Sequence, residues 1–475
     1  MSRSAIVFTV AAVVVFSGAI ILFGCSGESS KSAMPATVNV TVSDPATCSA
    51  PQGPYSHIYV TITDVQINAS ASAADKDPGW VDLTPSLSAS PQQLDLLGQA
   101  SNQCFLAMLG ATTALQPGSY QQIRIMLASG SVTLTNNQCG AAANCLMLSS
   151  DLTNTPQTLQ LSSEAQTGLK IPSGQIAGGQ FVVAAGETND LNIDFNACQS
   201  IVAQGNGQFR LKPVMHAGEV NLTSSSINGK VVDSVSGAGI IGGNTVVALE
   251  QKDSTGVDRV IMETVTDASG AFSFCPVATG TYDVVLAAVS GAQLSYGATV
   301  ITGVQPGNAL GNVPVMAQAG PGTAASITGM ITTSTGSAGT AADITLSALQ
   351  PISVNGSTVL VTIPLAGQSA GAANLMTASG ASCPAKTDCA SYTLSVPAAN
   401  PAVGAFSTSG TQSPALPPAG TAAYTVDAIA YVQGGGTLDC MPSELQTSAT
   451  ASNAPLTASA GASVTAATLA FSGCQ

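Results

Sequence analysis

The segment Ser56-His-Ile-Tyr-Val-Thr-Ile-Thr63 shows a strict alternation of apolar and polar side chains. Its apolar positions are Ile58, Val60 and Ile62, and the residues between them are a tyrosine and a threonine. A repeat of two residues is typical of a β-strand with one buried face, because successive side chains point to opposite sides of a strand. The segment therefore predicts a half-buried strand, and the rest of the fold can be built outward from it.

The same repeat recurs along the chain. The segment Gln122–Leu127 alternates in the same way after the turn Gln116-Pro-Gly-Ser119. Only 8% of the 475 residues are charged, and the chain contains 48 Gly and 25 Pro, a composition that favours many short strands joined by turns. One short helix is expected, around Pro91–Leu97. The sequence therefore predicts an all-β protein built of β-sandwiches.

The N-terminal residues 1–24 have the pattern of a bacterial lipoprotein signal peptide. A basic residue, Arg3, precedes the apolar run Ala5–Leu22, and Leu22-Phe-Gly-Cys25 matches a lipoprotein cleavage site. We expect cleavage before Cys25 and acylation of that cysteine, for example with palmitate, so that residues 25–37 form a lipidated tether. The alternative is an uncleaved anchor, because about 18 apolar residues can span a bilayer. Both interpretations place the rest of the chain outside the cytoplasm.

The predicted location is the cell envelope, with a lipid anchor on the extracytoplasmic side of the membrane. Ser26 follows the acylated cysteine, and the absence of Asp at that position favours the outer membrane in a Gram-negative cell. The chain carries 11 Lys and Arg against 25 Asp and Glu, a net charge of −14. Nucleic acid is not an expected partner, because phosphate binding needs clustered cations.

Cysteine usage predicts disulfide bonds. Ten cysteines remain besides Cys25, and an even number in an exported chain favours disulfides. No closely spaced cysteine or histidine pairs indicate zinc, so no metal is expected. The predicted pairs are Cys139–Cys145, Cys383–Cys389 and Cys440–Cys474 and, by elimination, Cys48–Cys104 and Cys198–Cys275.

Residues 38–220 are predicted to form the first β-sandwich domain, and this region resembles a known family. The motifs that carry the resemblance are Ser56–Ile67, Leu94–Leu97, Pro117–Arg124, Thr167–Pro172, Leu191–Ala197 with Ser200–Val202, and Gly207–Val214. They resemble the bacterial lipoprotein domain known as domain of unknown function 4382, which brings no established activity. Asn196 stands where that family often has Asp, and the loop between Cys139 and Cys145 is a local elaboration.

Residues 226–317 are predicted to form a second sandwich. The motifs are Ile227–Asp233, Thr245–Leu249, Thr266–Phe274 and Thr279–Val285. They resemble the carboxypeptidase regulatory-like domain, a transthyretin-type sandwich. The resemblance implies a stabilising or binding module without catalytic activity, and we expect Phe272 and Phe274 to enter the core on alternate positions of one strand.

Residues 326–475 follow a Gly- and Ala-rich linker and are predicted to form a third, immunoglobulin-like β-sandwich. The region opens with Ser326-Ile-Thr-Gly-Met-Ile331, which echoes the start of the second domain, and continues with alternating runs such as Ile344–Leu349. The predicted fold is therefore three serial β-sandwiches behind a lipoprotein signal peptide.

Catalytic patterns are not found in the sequence. His57 and His216 are the two histidines, and both are expected to be surface histidines of the first domain. No nucleophile elbow, HExxH helix, Walker loop or dinucleotide fingerprint occurs. Asp75-Lys-Asp77 lacks the third acidic position and the glutamate of a calcium loop. We therefore expect no enzyme activity, no catalytic residues and no cofactor.

Aromatic residues give the candidate ligand site. Trp80 follows Pro78-Gly79, and an exposed indole at that position could stack on a sugar, with Tyr55 and Tyr59 near the same region. The alternative is a tryptophan that packs in the core or at a sheet edge. A glycan or an envelope protein is the expected partner.

The sequence thus favours a non-enzymatic, lipid-anchored envelope protein with a binding or structural role. The alternative is an extracytoplasmic hydrolase with an unrecognised active site in the first domain. An enzyme should show a cleft that gathers Asp, Glu or His side chains, whereas a binding module should show an exposed aromatic or apolar patch without perturbed titratable groups. A third possibility, a subunit of a surface assembly, should show unpaired edge strands.

Overall fold

The computed structural model covers most of the chain after the predicted tether. Within the described residues, no helix is long and apolar enough to cross a membrane. The predictions for the signal peptide, for the acylation of Cys25 and for the pair Cys48–Cys104 lie outside those residues. Residues 34–474 are described except for 44–53, 98–106, 131–133, 135, 162–167, 204–206, 213–214, 221–225, 241–244, 254, 268, 288, 291–292, 295, 318–323, 366–372, 416–420, 433–439 and 448–454.

The first region, up to residue 220, folds around one hydrophobic core. A four-stranded sheet with the order β15-β12-β1-β5 and a larger sheet, in which β2 is flanked by β7 and β8, enclose this first core. The strands are β1 (Ala36–Ser43), β2 (Tyr55–Asn68), β3 (Val81–Asp82), β4 (Gln92–Asp95), β5 (Ala107–Leu115), β6 (Gly118–Tyr120), β7 (Gln122–Leu127), β8 (Cys145–Leu148), β9 (Gln157–Leu161), β10 (Leu169–Pro172), β11 (Phe181–Val183), β12 (Thr188–Phe195), β13 (Ile201–Ala203), β14 (Phe209–Leu211) and β15 (Met215–Glu219).

The strands predicted at Ser56–Thr63 and Gln122–Leu127 are confirmed as parts of β2 and β7. The prediction of a helix around Pro91–Leu97 is wrong, because β4 pairs antiparallel with β2 and buries Leu94. Pairing with a long neighbouring strand overrides the local propensity of this segment. The helices described in this region are the four-residue α1 (Ala197–Ser200) and two 3₁₀ turns, Ser173–Gln175 and Ala177–Gly179.

The second region folds around a second core. Phe272 and Phe274 both point into it, as predicted, with ring centroids 5.9 Å apart in an edge-to-face arrangement. The hydroxyl of Tyr282 donates to the carbonyl of Ala278 at 2.7 Å. The strands are β16 (Ile227–Asp233), β17 (Val246–Lys252), β18 (Val257–Val265), β19 (Ala271–Phe274), β20 (Tyr282–Ala287), β21 (Val289–Ser290), β22 (Gln293–Leu294), β23 (Thr299–Val304) and β24 (Ala309–Val315).

The third region folds around a third core that the buried side chains of Tyr424 and Phe471 help to fill. Its small sheet has the order β29-β25-β34, with β35 also on β25. The strands are β25 (Ala325–Thr333), β26 (Asp343–Val354), β27 (Ser357–Thr362), β28 (Ala373–Met376), β29 (Asp388–Val396), β30 (Ala402–Ala405), β31 (Ala422–Tyr431), β32 (Glu444–Thr447), β33 (Leu456–Ala458), β34 (Ser463–Thr465) and β35 (Leu469–Phe471).

The second and third regions share one continuous sheet of eleven described strands. Its main order is β30-β23-β20-β17-β18-β27-β26-β31-β32. Strand β18 pairs with β27 and strand β23 pairs with β30, both in parallel. Third-region strands therefore cover both edges of the second-region sheet, which protects their backbone groups from pairing with other chains. The fold class, all-β with serial sandwiches, is confirmed, whereas the exact domain boundaries stay predictions.

Two disulfide bonds close short loops, and a third links Cys474 to Cys440. The structure forms Cys139–Cys145 and Cys383–Cys389, each with a sequence separation of 6, and Cys440–Cys474 with a separation of 34. All three are predicted pairs, and the first two were expected from their spacing. Cys275 is also disulfide-bonded, and the side chain of Cys198 lies outside the described part of the structure.

Candidate functional site

Trp80, the first candidate ligand residue, is held against the protein. Its indole Nε1 donates to the carbonyl of Ala74 at 2.9 Å, and the guanidinium carbon of Arg124 lies 4.0 Å from the ring centroid. Arg124 is in turn fixed by its Nε, which donates to Gln66 Oε1 at 2.8 Å. The cation–π contact covers one face of the indole. The Trp80 side chain as a whole is half-buried.

Tyr55 and Tyr59 lie in different environments. Tyr55 is part of the first core, with its ring edge-to-face with Phe209 at 6.3 Å, and burial raises the pKa of its hydroxyl to about 12. It is not placed to stack on a ligand. Tyr59 is half-buried and stacks on His57 at 5.6 Å. Burial and the nearby Asp95 raise the pKa of the Tyr59 hydroxyl.

The three aromatic candidates do not form one platform. Val81, next to Trp80, pairs with Ile67 on β2, while Tyr59 lies eight residues earlier on the same strand. Eight residues of strand span about 26 Å. The residue that does accompany Tyr59 is His57, whose Nδ1 lies 2.7 Å from Asp95 Oδ2. Trp80 therefore lies far along β2 from the stacked pair of Tyr59 and His57.

A larger feature lies where the three cores meet. A partly open cavity of about 1330 Å³ separates the four-stranded sheet of the first core from the shared eleven-stranded sheet. We call it the junction cavity. It was not predicted from the sequence. The residues that define its walls are Asn192, Asp194 and His216 of the first region, Asp258 and Asp283 of the second, and Thr345 of the third.

The first-core wall of the junction cavity is a ladder of polar side chains. Val38, Val40 and Val42 of β1 fill the core, so the alternate residues of the same strand point toward the second region. On that polar face the hydroxyl of Ser43 accepts from Asn192 Nδ2 at 2.8 Å and donates to Asp194 Oδ1 at 3.2 Å. These hydrogen bonds hold the polar side chains of the wall in position without a ligand.

Asp194 and His216 are direct cross-strand partners on β12 and β15. Burial raises the pKa of Asp194 to about 7 and lowers the pKa of His216 to about 4. The Oδ2 atom of Asp194 has no hydrogen-bond partner, although the side chain is buried. The wall therefore presents a carboxyl that is partly protonated at neutral pH and a neutral imidazole.

The second-core wall is acidic. Val247 and Leu249 of β17 point into the second core, so Glu250 points to the opposite face, where it lies directly across from Asp283 on β20. Asp258 lies on the neighbouring strand β18, directly across from Lys252 of β17. Burial, followed by the charge of Asp283, raises the pKa of Asp258 to about 7, and burial raises the pKa of Glu250 well above its usual value.

Polar contacts join the first region to the third, and the second region to the third. Arg210 on β14 forms a buried ion pair with Asp343 on β26, and both side chains are less than 5% exposed. The ammonium of Lys212 donates to the hydroxyl of Thr345 at 2.6 Å. A second ion network joins the second and third regions around Arg259 of β18: its Nε donates to Asp253 Oδ2 at 3.0 Å, and its two terminal nitrogens contact Asp427 and Glu444.

The chemistry available at the junction cavity is hydrogen bonding and proton exchange. Among the described residues, no group of three or more His, Cys, Asp or Glu side chains is arranged to hold a metal ion. A signal in the sequence could have indicated this site. Glu250 directly follows the apolar segment Val246–Leu249, and Asp283 directly precedes the apolar segment Val284–Ala287. A charge next to such a segment must face either solvent or a polar interior.

One protein-family model matches the first region of the chain. Residues 35–213 match the model described as Domain of unknown function (DUF4382). This match agrees with the resemblance of the first region, whereas the carboxypeptidase regulatory-like resemblance of residues 226–317 stays a prediction. No curated protein matches the chain.

Three solved structures illustrate the structural likeness. The Bacillus anthracis TIE protein is 9% identical with a TM-score of 0.17, and the match covers 92% of this chain and 51% of that one. GBS52, the minor pilin of Streptococcus agalactiae, is 12% identical with a TM-score of 0.18, covering 52% and 96%. The shaft pilin SpaA of Lactobacillus rhamnosus GG is 10% identical with a TM-score of 0.16, covering 60% and 100%. Likenesses with TM-scores this low carry no functional argument.

Proposed function

We propose that the protein is a non-enzymatic, lipid-anchored envelope protein that binds a polar ligand in the junction cavity, with a glycan as the first candidate. The observation that carries this proposal is the cavity itself. Its walls come from three cores, and they display hydroxyl, amide and carboxyl groups that are already fixed by hydrogen bonds to one another. Preformed concave sites with convergent polar groups are typical ligand sites, because the ordering cost is met before binding.

The junction cavity meets the criterion stated above for an enzyme, since it gathers Asp, Glu and His side chains with shifted pKa values. We nevertheless place binding ahead of hydrolysis because of the surroundings of the two histidines. A nucleophile activated by histidine needs a hydrogen bond between the two side chains. In the part of the chain that the structure describes, His57 contacts Asp95, and neither His57 nor His216 bonds to a serine, threonine or cysteine side chain.

The second candidate function is hydrolysis of a glycan. A specific observation favours it: the cavity gathers Asp194 and His216 with Asp258 and Asp283, and burial raises the pKa values of Asp194 and Asp258 to about 7. A carboxyl with a raised pKa can serve as a general acid. Incubation of the full chain with polysaccharides, followed by an assay for new reducing ends, tests this alternative; their appearance would favour the hydrolase.

The lipid anchor is tested by replacing its attachment point. We expect full-length protein expressed in a bacterium to incorporate an alkyne-labelled fatty acid, and Cys25→Ser to abolish that label, because the acyl groups are attached through the sulfur and amine of that residue. The matched control is Ser26→Ala. Equal labelling of wild type and Cys25→Ser would contradict the anchor, and a labelled Ser26→Ala protein is expected.

Ligand binding is tested by retention of the detergent-solubilised full chain on immobilised polysaccharides and peptidoglycan. Ser347 lies on the third-region wall of the cavity. We expect Ser347→Trp to reduce saturable retention at least about tenfold, because an indole would occupy the space of the ligand, and a 1.4 kcal/mol loss is already tenfold. Trp80→Ala should leave retention unchanged.

The paired variants separate two sites. Loss of retention in Trp80→Ala alone would move the glycan site to that indole in the first region. Absence of retention of the wild-type chain on every polysaccharide would contradict a glycan ligand. Thermal unfolding of each variant is measured in parallel, so that a loss of retention is compared at equal folding.

A further inference from the structure

Three carboxyl side chains form a row on the face of the shared sheet that borders the junction cavity. Glu250 and Asp258 are 0% and 1% exposed, and Asp283 is 9% exposed. They lie on three adjacent strands, β18, β17 and β20, so their side chains gather on one face. We call this group the carboxyl row. Burying several like charges together is costly, since each charge loses its hydration and repels its neighbours.

The carboxyl row has few hydrogen-bond donors among the described residues. Glu250 Oε2 accepts from the Thr362 amide at 3.0 Å, and Asp283 Oδ1 accepts from the Gly303 amide at 3.0 Å. However, Glu250 Oε1 and Asp258 Oδ2 have no partner. A buried carboxyl oxygen without a donor is poorly stabilised when the group is ionised, so the protonated forms of Glu250 and Asp258 are favoured, in agreement with the raised pKa of each group.

The carboxyl row lies at the seam between the second and third regions. There, Val257 and Asp258 of β18 pair with Leu360 and Val361 of β27. The hydroxyl of Thr362 donates to the carbonyl of Asp258 at 2.8 Å, next to the amide bond that Thr362 makes with Glu250. The same few residues thus carry both the buried carboxyls and the pairing of the two regions.

The charged groups around the row offer little compensation. On the strands of the carboxyl row, Lys252 lies opposite Asp258, and its charge partly offsets the rise in the pKa of Asp258. Glu263 on β18 is a further acidic residue, and its carboxyl accepts a hydrogen bond from Asn196 Nδ2 at 3.0 Å. Arg259 is engaged by its own three carboxylates. Strand β27, which packs on the row, carries no titratable residue. The remaining titratable groups that line the cavity from the other regions are Lys170, Asp194, Lys212, His216 and Glu444.

We propose that the carboxyl row is a proton-dependent seam: β18 and β27 stay paired while Glu250 and Asp258 are protonated, and their pairing opens more often when these two carboxyls ionise in a mildly alkaline medium. Separation would admit water to Glu250 and Asp258 and would widen the junction cavity on the side of the third region. The protein would then respond to the pH outside the cytoplasm by changing the width of this cavity. The seam does not depend on whether the cavity binds a glycan.

The direction of the pH dependence follows from the carboxyl groups. Burial raises the pKa of Asp258 to about 7 in the closed seam, whereas an exposed aspartate has a pKa of about 4. The closed form then binds more protons, so its stabilisation is complete below pH 4 and is lost as the pH rises through 7. For Asp258 alone, the opening constant should increase about 30-fold between pH 5.5 and pH 8.5.

His216 acts in the opposite direction on the other wall of the cavity. Burial lowers the pKa of His216 to about 4, so its neutral form is favoured, and stability is lost as the pH falls below its usual value of about 6.5. The pH dependence of the free energy of global unfolding would therefore combine the opposite effects of Asp258 and His216. The test must report on the seam itself, at the amides of β27.

The test is hydrogen–deuterium exchange of the detergent-solubilised full chain at pH 5.5 and pH 8.5. Exchange in peptides that cover Ser357–Thr362 is expressed as a protection factor, which removes the intrinsic pH dependence of exchange. We expect protection in the wild type to fall about 30-fold between the two pH values. In the isosteric, uncharged double variant Glu250→Gln with Asp258→Asn, protection should be the same at both.

The matched control is Asp151→Asn, which removes a partly exposed carboxyl in a loop of the first region, and it should behave like the wild type. If the double variant does not fold, Asp258→Asn alone gives the same comparison with a smaller fall than in the wild type. Equal protection of the wild type at the two pH values would overturn the proposal. So would a fall that persists undiminished in the neutral variants.

Discussion

Replacing Asp343 by alanine should lower the free energy of unfolding by about 3–5 kcal/mol, the range for removing one partner of a buried ion pair. The Arg210 guanidinium would stay in the interface between the first and third regions without its carboxylate. Two of its nitrogens, Nε and Nη1, already lack partners, and the other contact of Nη2 is with the sulfur of Met376 at 3.8 Å, which is a weak acceptor. The measurement is urea unfolding of the detergent-solubilised full chain, followed by the fluorescence of its single tryptophan, Trp80.

Two control variants distinguish the effect of leaving Arg210 without its ion-pair partner from the effect of removing a side chain. The double variant Arg210→Met with Asp343→Leu removes both charges and should cost less than about 1 kcal/mol, because apolar replacements of buried pairs are often neutral. Asp75→Ala removes a partly exposed partner of Lys170 and should also cost at most about 1 kcal/mol. An Asp343→Ala protein as stable as the wild type would show that the interface opens freely to water.

Replacing Arg259 by methionine should cost about 3 kcal/mol of stability, the lower end of the range for a broken buried pair. The change leaves the carboxylates of Asp253, Asp427 and Glu444 close together without a cation. Asp427 is only 1% exposed, but Glu444 is 35% exposed and can be hydrated, which limits the loss. Scanning calorimetry of the full chain checks this prediction, because Trp80 lies in the first region and does not report on this contact.

The companion variant is Arg259→Lys. It keeps the positive charge but cannot donate to three carboxylates in a fixed fork, so it should recover only part of the stability. Complete recovery would mean that charge alone matters at this site, and an unchanged melting profile of Arg259→Met would contradict a stabilising role for the network.

Local features were predictable because they depend on neighbours in the sequence. The alternation of Ile58, Val60 and Ile62 was enough to place β2, since side chains must alternate across a strand. The spacing of Cys139 and Cys145 was enough to suggest their bond. The helix around Pro91–Leu97 was wrong for the converse reason: its state is decided by β2, a partner about 30 residues earlier in the chain.

The candidate site was only partly predictable. Trp80 was identified as an aromatic residue near a loop, but the sequence did not show that Arg124 covers one of its faces. Tyr55 lies in the core and Tyr59 lies far along β2, because the direction of a strand side chain depends on register and on bulges such as the one between Tyr55 and His57. The junction cavity was missed, since its walls come from three regions.

The sequence by itself determined an all-β chain, the positions of its clearest strands and the short-range disulfides. The tertiary structure alone decided that the second and third regions share a sheet, that Arg210 meets Asp343 across 133 residues, and that Glu250, Asp258 and Asp283 lie together in the interior. The reason is physical. Strands join through backbone N–H and C=O groups that nearly every residue carries, so a shared sheet leaves no local mark in the sequence. A charge can be buried only where the fold brings a partner or a proton to it, and in this chain those partners are distant in sequence.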